Sequence, residues 1–194
     1  MRVIAGENKG RQLKSVASRL TRPTTDKVKE TIFNMIGPYF QGGKVLDLYG
    51  GSGGLGLEAL SRGAEYAVFV DKAGAACKVM EENARHCGCK DRCDILHRDA
   101  GSALEQLAKR GEIFDYVFLD PPYAKQHLEG DIMTMLEKRM LSNQAIIVAE
   151  HEDTAKLPDS FEPGMVRWKY RTYQGKTAVS IYCFQHENQG SVLS

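Results

Sequence analysis

The sequence lacks any long hydrophobic run, any low-complexity segment and any clear excess of charge of one sign. Charged residues interrupt every apolar stretch well before the ~18 residues that a membrane span requires, and no apolar stretch follows Met1, so we expect a cytoplasmic protein without membrane contact. A hydrophobic content of 42% excludes a wholly disordered or collagen-like chain. A length of 194 residues suits one α/β domain with a small extension.

Cysteine is also scarce. Its five occurrences, an odd number in a chain of expected cytoplasmic location, predict no disulfide framework. Three of them lie just after His86, at Cys87, Cys89 and Cys93. Because this spacing lacks the paired C-x2-C units of tetrahedral zinc sites, we expect incidental thiols and no metal.

The small net charge of +1 hides a segregation of charge along the chain. The first 25 residues carry six basic side chains against Glu7, a local charge of +5, which leaves −4 for the remainder. A near-neutral total usually argues against nucleic-acid binding, but a basic arm of this kind can approach a polyanion. The alternative is an ordinary solvated surface.

Hydrophobic patterning predicts an N-terminal hairpin over residues 2–15, with its turn at 6–10. Capping residues in Arg22-Pro23-Thr24-Thr25-Asp26 then begin a helix whose apolar face includes Ile32, and Gly37-Pro38 ends it. We therefore predict an extension over residues 1–40, a main domain over 41–185 and a polar tail over 186–194.

Strands and helices alternate in the main domain. The strands are predicted at 45–49, 66–71, 94–97, 113–120 and 145–150. Of the helices between them, the first begins at Leu55, the second ends at about Cys87, and the third and fourth begin at Ser102 and His127. This alternation indicates a parallel sheet covered on both faces. Strand-like segments at 165–173 and 176–184, joined by Gln174-Gly175, predict an antiparallel hairpin at the sheet edge.

A glycine loop follows the first of these strands, in Asp47-Leu48-Tyr49-Gly50-Gly51-Ser52-Gly53-Gly54-Leu55-Gly56. Its spacing satisfies G-x-G-x-x-G, and Asp71 ends the second strand, where a ribose-binding acid belongs. Leu57-Glu58 stands where a P-loop needs Lys-Ser/Thr, which excludes that motif. The loop alone is compatible with several nucleotide cofactors.

The charge of Asp47 favours S-adenosylmethionine over NAD, because a carboxylate at the loop would repel a pyrophosphate and attract the α-ammonium group of a methionine moiety. Asp71 would then bind the ribose hydroxyls, and Asp99 the adenine amine. The structural alternatives are a helix-capping acid at Asp47 and an ordinary N-cap at Asp99. The candidate cofactor residues are Asp47, Tyr49, Gly51, Ser52, Gly53, Gly56, Asp71, Lys72, Asp99 and Ala100.

Asp120-Pro121-Pro122-Tyr123 follows the fourth strand and should lie at the carboxyl edge of the sheet, beside the glycine loop. The prolines have no N–H and hold an extended turn, so their carbonyls can accept hydrogen bonds. A planar exocyclic amine could donate to Asp120 and to the Pro121 carbonyl while Tyr123 stacks on the base. The alternative is a proline-rich turn with a tyrosine packed in the core.

These motifs, together with Arg2-Val3-Ile4-Ala5-Gly6 and residues 22–34, resemble the RsmD family of bacterial 16S ribosomal RNA guanine-N2 methyltransferases, within the class I S-adenosylmethionine-dependent methyltransferases. The resemblance implies a Rossmann-like sheet of order 3-2-1-4-5-7-6 with an antiparallel seventh strand. It also implies 16S rRNA of the small ribosomal subunit as partner, with no obligate protein partner. The RNA contacts would come from Arg2, Lys9, Arg11, Arg22, Thr24 and Lys27.

Two departures from the family pattern stand out. Tyr49-Gly50 replaces the more common Phe-Ala, and Lys27 and Lys29 stand where arginines are usual, which keeps the charge but loses bidentate phosphate geometry.

Other functions remain open at this point. They are adenine-N6 methylation of DNA, for which the chain has no room for a target-recognition region, an NAD oxidoreductase, and a non-catalytic RNA-binding assembly factor.

Overall fold

The computed structural model describes residues 1–16, 25–122, 127–173 and 176–185. The helices there are α1 (Asp26–Ile36), α2 (Gly54–Ser61), α3 (Gly74–His86), α4 (Ala100–Lys109) and α5 (Leu128–Glu137), with a 3-10 turn at Lys90–Arg92. The strands are β1 (Lys44–Asp47), β2 (Tyr66–Asp71), β3 (Cys93–His97), β4 (Phe114–Leu119), β5 (Leu141–Glu152), β6 (Ser160–Phe161), β7 (Met165–Tyr173) and β8 (Thr177–Phe184).

The strands form one sheet of order β3-β2-β1-β4-β5-β8-β7-β6. Strands β1 to β5 are parallel, and β8 lies antiparallel between β5 and β7. The expected Rossmann-like order is confirmed, with β7 and β8 as the sixth and seventh predicted strands. Strand β6 was not predicted, because two residues are too short to show an alternating pattern.

Helices cover both faces of the sheet and enclose two apolar clusters. Helices α1, α2 and α3 pack on one face, around Phe33, Phe69 and Phe118. Helices α4 and α5 pack on the other, around Leu104 and Ile132. The continuous apolar runs of the central strands are explained by burial on both faces.

Helix α1 begins and ends where the sequence predicts. The Thr25 hydroxyl accepts from the Val28 N–H at 3.3 Å as an N-cap, and the helix ends at Gly37. Ile32 and Ile36 are buried, which confirms the predicted apolar face. Residues 17–24, with Arg22 and Thr24, lie outside the described ranges, as do Gln174-Gly175 and the predicted tail at 186–194.

The N-terminal hairpin forms in a reduced version. Its pairing is one antiparallel bridge between Arg2 and Gln12, supported by a 3.0 Å hydrogen bond from the Val3 N–H to the Arg11 carbonyl. The prediction of two strands is therefore wrong in their length. The chain turns at Gly6, with φ +84°, and then lies on helix α2. A Cβ at Gly6 would lie 1.8 Å from the Ser61 carbonyl oxygen, so only glycine fits this contact.

The cysteine group lies between α3 and β3. Cys87, Cys89 and Cys93 are buried as free thiols, and the Cys93 Sγ donates to the Cys89 carbonyl at 2.9 Å. Within the described ranges, no cluster of His, Cys, Asp and Glu could hold a metal ion. Likewise, no helix in this part of the chain is long and apolar enough to cross a membrane.

Candidate active site

The parallel register brings three acidic loops to one edge of the sheet. Asp47, the last residue of β1, lies opposite Phe69 on one side and Phe118 on the other. Asp71 and Asp120 follow those neighbours by two residues each, at the carboxyl ends of β2 and β4. The predicted cofactor loop and the predicted catalytic tetrapeptide therefore begin beside each other, where ligands of such folds bind.

Asp47 is an almost completely buried carboxylate, with 2% of its surface exposed. Its Oδ2 accepts a hydrogen bond from the Gly56 N–H at 3.0 Å. Burial, together with the nearby charges of Asp120 and Asp71, raises the pKa of Asp47 to about 7, although the hydrogen bond from Gly56 lowers it. The predicted contact with helix α2 is thus present. This contact does not offset the burial of Asp47, so a nearby cation would strongly stabilise its ionised form.

The glycine loop approaches its surroundings closely on its inner side. A Cβ at Gly56 would lie 2.3 Å from the Phe69 ring, so a side chain there would displace α2 from the sheet. Gly53 has φ +80°, a conformation that favours glycine. At Gly51 a Cβ would meet nothing within 4 Å, so the outer side of the loop is open. The Asn83 Nδ2 donates a hydrogen bond to the Ser52 carbonyl at 2.9 Å, which fixes the middle of the loop on helix α3.

Asp71 is held in a fixed orientation by the backbone around it. Its Oδ2 accepts from the Gly51 N–H at 2.9 Å, and its Oδ1 accepts from the Ala73 N–H at 2.8 Å. The neighbouring Lys72 is exposed, and its carbonyl lies 3.1 Å from the His97 ring nitrogen Nε2. The carboxylate of Asp71 therefore links the glycine loop to the end of β2.

Asp99 caps helix α4, as the structural alternative predicted. Its Oδ1 accepts from the Ser102 N–H at 2.9 Å, and Ala100 is the first residue of the helix. These hydrogen bonds with Ser102 lower the pKa of Asp99, which is exposed at the same sheet edge. The cofactor roles of Asp99 and Ala100 stay predictions, since a cap explains the position of Asp99 without them.

Tyr49 has a partner that the sequence did not reveal. Its hydroxyl donates to the Asp131 Oδ2 at 2.6 Å, and Asp131 is buried on helix α5. Burial raises the pKa of Asp131 and, with the hydrogen bond, also that of Tyr49. This pair joins the glycine loop to the helix that follows the Asp120 loop. Local sequence patterns do not reveal it, because the partners are 82 positions apart.

The Asp120 tetrapeptide is described only in part. Asp120 is half-buried directly after β4, Pro121 is buried and Pro122 is half-buried. Tyr123 lies outside the described ranges. The described part begins at the carboxyl edge of the sheet, beside Asp47, and the extended turn stays a prediction.

The predicted RNA-contacting residues that the structure describes are all on the surface. Lys9 and Lys27 are exposed, the Arg2 Nε pairs with Asp26 at 3.1 Å, and the Arg11 guanidinium donates to the His86 carbonyl. Arg22 and Thr24 lie outside the described ranges. The basic arm therefore retains exposed positive charge, part of it engaged with neighbouring groups.

Lys29 differs from these residues, because it is completely buried. Its Nζ lies 3.2 Å from the carboxylate of Glu58, which is also buried and also pairs with Arg62 at 2.8 Å. The Ile4 and Ala5 N–H groups donate to the same carboxylate at 2.9 and 3.0 Å. The ammonium group of Lys29 therefore points into the protein, where it links the N-terminal arm to α2, and it is not available to a phosphate.

Comparisons with known proteins agree with this architecture. The model of a family described as conserved hypothetical protein 95 matches residues 1–183. The Bacillus subtilis protein YlbH, provisionally named an rRNA methyltransferase, is 48% identical over 182 residues, which cover 94% of this chain and 98% of its own. Ribosomal RNA small subunit methyltransferase D of Escherichia coli K12 is 32% identical over 190 residues, 98% of this chain and 92% of its own.

A solved structure from Escherichia coli, provisionally named methyltransferase yhhF, shares the fold. It is 30% identical, covers 95% of this chain and 98% of its own, and has a TM-score of 0.80. Both the N-terminal arm and the methyltransferase sheet lie within these matches. The chain therefore belongs to the conserved hypothetical protein 95 family, the RsmD family of class I methyltransferases.

Proposed function

We propose that this protein transfers a methyl group from S-adenosylmethionine to the N2 amine of a guanine in 16S rRNA of the small ribosomal subunit. The observation that carries the proposal is the position of Asp120 directly beside the buried Asp47 at the carboxyl edge of the sheet. The names of the relatives support an rRNA substrate. A cytoplasmic location agrees with such a substrate.

The residues of the loop fit this cofactor. Burial and two acidic neighbours raise the pKa of Asp47. A bound ammonium group would therefore stabilise the ionised form of this carboxylate. Asp71 is oriented to accept the ribose hydroxyls, and Asp99 lies one strand further for the adenine amine. When bound, S-adenosylmethionine supplies an electrophilic methyl group.

The tetrapeptide would orient and activate the target amine. A guanine N2 amine is a poor nucleophile because its lone pair is delocalised into the ring. Asp120 and the Pro121 carbonyl would accept hydrogen bonds from its two N–H groups and so favour lone-pair density on nitrogen. As the new N–C bond forms and the sulfonium S–C bond breaks, the amine would lose one proton, which Asp120 is placed to take up or pass to solvent. Tyr123 would stack on the base, and the exposed Lys9 and Lys27 would contact phosphates of the RNA.

The test combines the purified protein, labelled cofactor and small subunits from cells that lack this protein. We expect label on N2-methylguanine in 16S rRNA. Asp120→Ala should abolish transfer while the cofactor still binds, because Asp120 is assigned to the target amine and Asp47 and Asp71 to the cofactor. Asp94→Ala, which removes an exposed ion pair with Arg110 near the start of β3, is the matched control and should retain transfer.

The other outcomes separate the alternatives. Absence of transfer by the intact protein when the cofactor binds would contradict the proposal. Label on adenine in DNA would identify the DNA-methylating alternative. Full rescue of a deletion strain by Asp120→Ala would identify a non-catalytic assembly factor.

A further inference from the structure

A second surface, at the far side of the sheet, combines exposed aromatic rings with cations. We propose that the β7 surface, the outer edge of this strand with Lys169 and Arg171 on the face towards helix α1, Tyr170 on the opposite face and Trp168 at the irregularity after Arg167, docks unpaired rRNA nucleotides next to the target base. The proposal rests on the proposed function, and it adds an RNA contact to those expected from the N-terminal arm. Its partner is single-stranded RNA, with bases on the rings and phosphates on the cations.

The aromatic residues of this surface are unusually accessible. Trp168, the single tryptophan of the chain, is 48% exposed, and Tyr170 is 49% exposed. Large aromatic side chains normally bury most of their surface, so two of them exposed within three residues require an explanation. A flat, accessible ring is the group on which proteins stack single-stranded bases without reading their sequence.

The cations of β7 lie against these rings. The Lys169 Nζ is 3.8 Å from the centroid of the Trp168 ring, and the Arg167 guanidinium carbon is 5.3 Å from the centroid of Tyr170. Arg167 also pairs with Asp159, so its charge is partly offset, whereas Arg171 is exposed. Cations beside stacking platforms suit a chain of alternating bases and phosphates.

The register of the sheet relates this surface to the active site. Leu119, which directly precedes Asp120, is in register with Ala149 on β5, then with Ser180 on β8 and Tyr170 on β7. Three strand spacings correspond to about 14 Å. That distance equals about four stacked nucleotides of one strand, so an RNA segment can reach from the tetrapeptide to the β7 surface.

The surface is also continuous with the N-terminal extension. The Lys169 Nζ donates to the Met35 carbonyl at 2.6 Å, which anchors β7 to the end of helix α1. Tyr173 packs against the same apolar cluster as that helix. Helix α1 carries the exposed Lys27 in its first turn, so one RNA could contact both elements.

Protection of the sheet edge against pairing with another strand explains the charged residues of the β7 surface but not its aromatic residues. Strand β6 pairs with β7 only at Met165 and Val166, so the later part of β7 forms an outer edge in the described part of the chain. Lys169 and Arg171 would discourage another strand from pairing there. Exposed Trp168 and Tyr170 would instead favour association, so edge protection does not account for them.

The test measures methyl transfer to under-methylated small subunits by the Trp168→Ser/Tyr170→Ser double variant. We expect its KM for subunits to rise about tenfold or more, because each lost base stack weakens binding substantially, with kcat and cofactor Kd unchanged. Tyr39→Ser, which removes an aromatic side chain that is 66% exposed after helix α1, is the matched control and should leave KM unchanged. Arg171→Gln should reduce the salt dependence of RNA binding by about one phosphate contact.

The outcomes separate the surface from the proposed function. If the wild-type protein transfers methyl groups and the double variant has an unchanged KM, the β7 surface does not dock RNA. If the double variant changes the oligomeric state and leaves KM unchanged, the partner is protein and the proposal is wrong. If the wild-type protein transfers no methyl group, but the double variant binds single-stranded RNA less well than the wild-type protein does, the enzymatic function is wrong and the β7 surface still binds RNA.

Discussion

Two buried carboxylates, Glu58 and Asp47, occupy neighbouring parts of this molecule in opposite electrostatic conditions. Glu58 lies between the cations Lys29 and Arg62 and also accepts two backbone N–H groups. Asp47 accepts from the Gly56 N–H, and its charged neighbours Asp120 and Asp71 are acids that raise its pKa. The first carboxylate has the partners that a buried charge requires, whereas the second has charges that oppose its ionisation.

These surroundings indicate that Glu58 stabilises the fold and that Asp47 serves the proposed chemistry. Glu58 joins the N-terminal arm, α1 and α2, and an ion cluster of this kind is strongly destabilised when one member is removed. Asp47 reduces the stability of the free protein near neutral pH, and a cationic ligand would reverse that effect. A local loss of stability at a binding site is expected where the ligand completes the site.

The largest effect is expected from Glu58→Gln. The variant leaves Lys29 and Arg62 buried without an anion, and we expect a loss of about 3–5 kcal/mol in the free energy of unfolding. Urea unfolding at pH 7 measures it. Glu81→Gln breaks exposed pairs with Arg85 and Lys90 and should not measurably change the unfolding midpoint. Equal stability of the two variants would show that the Glu58 cluster does not hold the arm on α2.

Asp47→Asn should produce the opposite change. The pKa of Asp47 rises from 3.8 to about 7 on folding, so the folded protein holds a proton that the unfolded chain releases above about pH 4. The free energy of unfolding therefore falls as pH rises from about 4 to 7. The asparagine keeps an acceptor for Gly56, and we expect a gain of up to about 4 kcal/mol above pH 7, since each pKa unit corresponds to about 1.4 kcal/mol.

The same variant should lose cofactor binding, which separates it from a simple stabilising change. Urea unfolding at pH 4 and pH 8, together with calorimetric titration of S-adenosylmethionine, measures both effects. Asp99→Asn is the control, because the pKa of Asp99 is lowered on folding and the variant should show no gain at pH 8. If the Asp47→Asn variant is less stable than the wild-type protein at pH 8, the inference that the ionised Asp47 destabilises the free protein is wrong.

The smallest of the three effects is expected from Tyr49→Phe, which leaves the buried Asp131 without the donor at 2.6 Å. We expect a loss of about 1–3 kcal/mol in stability and a further rise in the pKa of Asp131, because that hydrogen bond now lowers it. Methyl transfer should be retained, since phenylalanine preserves the ring beside the glycine loop. A double-mutant cycle with Asp131→Asn measures the coupling, and additive effects would contradict it.

Much of the fold could be predicted because its signals are local. The apolar runs of β2 and β4, the capping residues before α1 and the glycines after β1 each depend on neighbours a few residues away. For the same reason the pattern at residues 2–15 predicts longer strands than the structure has, since a local pattern does not show that Gly6 must lie against Ser61. The short β6 leaves too few residues for any pattern.

Local patterns in the sequence are sufficient to predict the alternation of strands and helices, the glycine loop and the acidic residues at the strand ends, because periodicity and turn chemistry belong to short segments. The buried position of Lys29, the two cationic partners of Glu58 and the hydrogen bond from Tyr49 to Asp131 become visible only in the folded chain. Residue type specifies a charge, but the burial and the partners of that charge depend on segments that are distant in the chain.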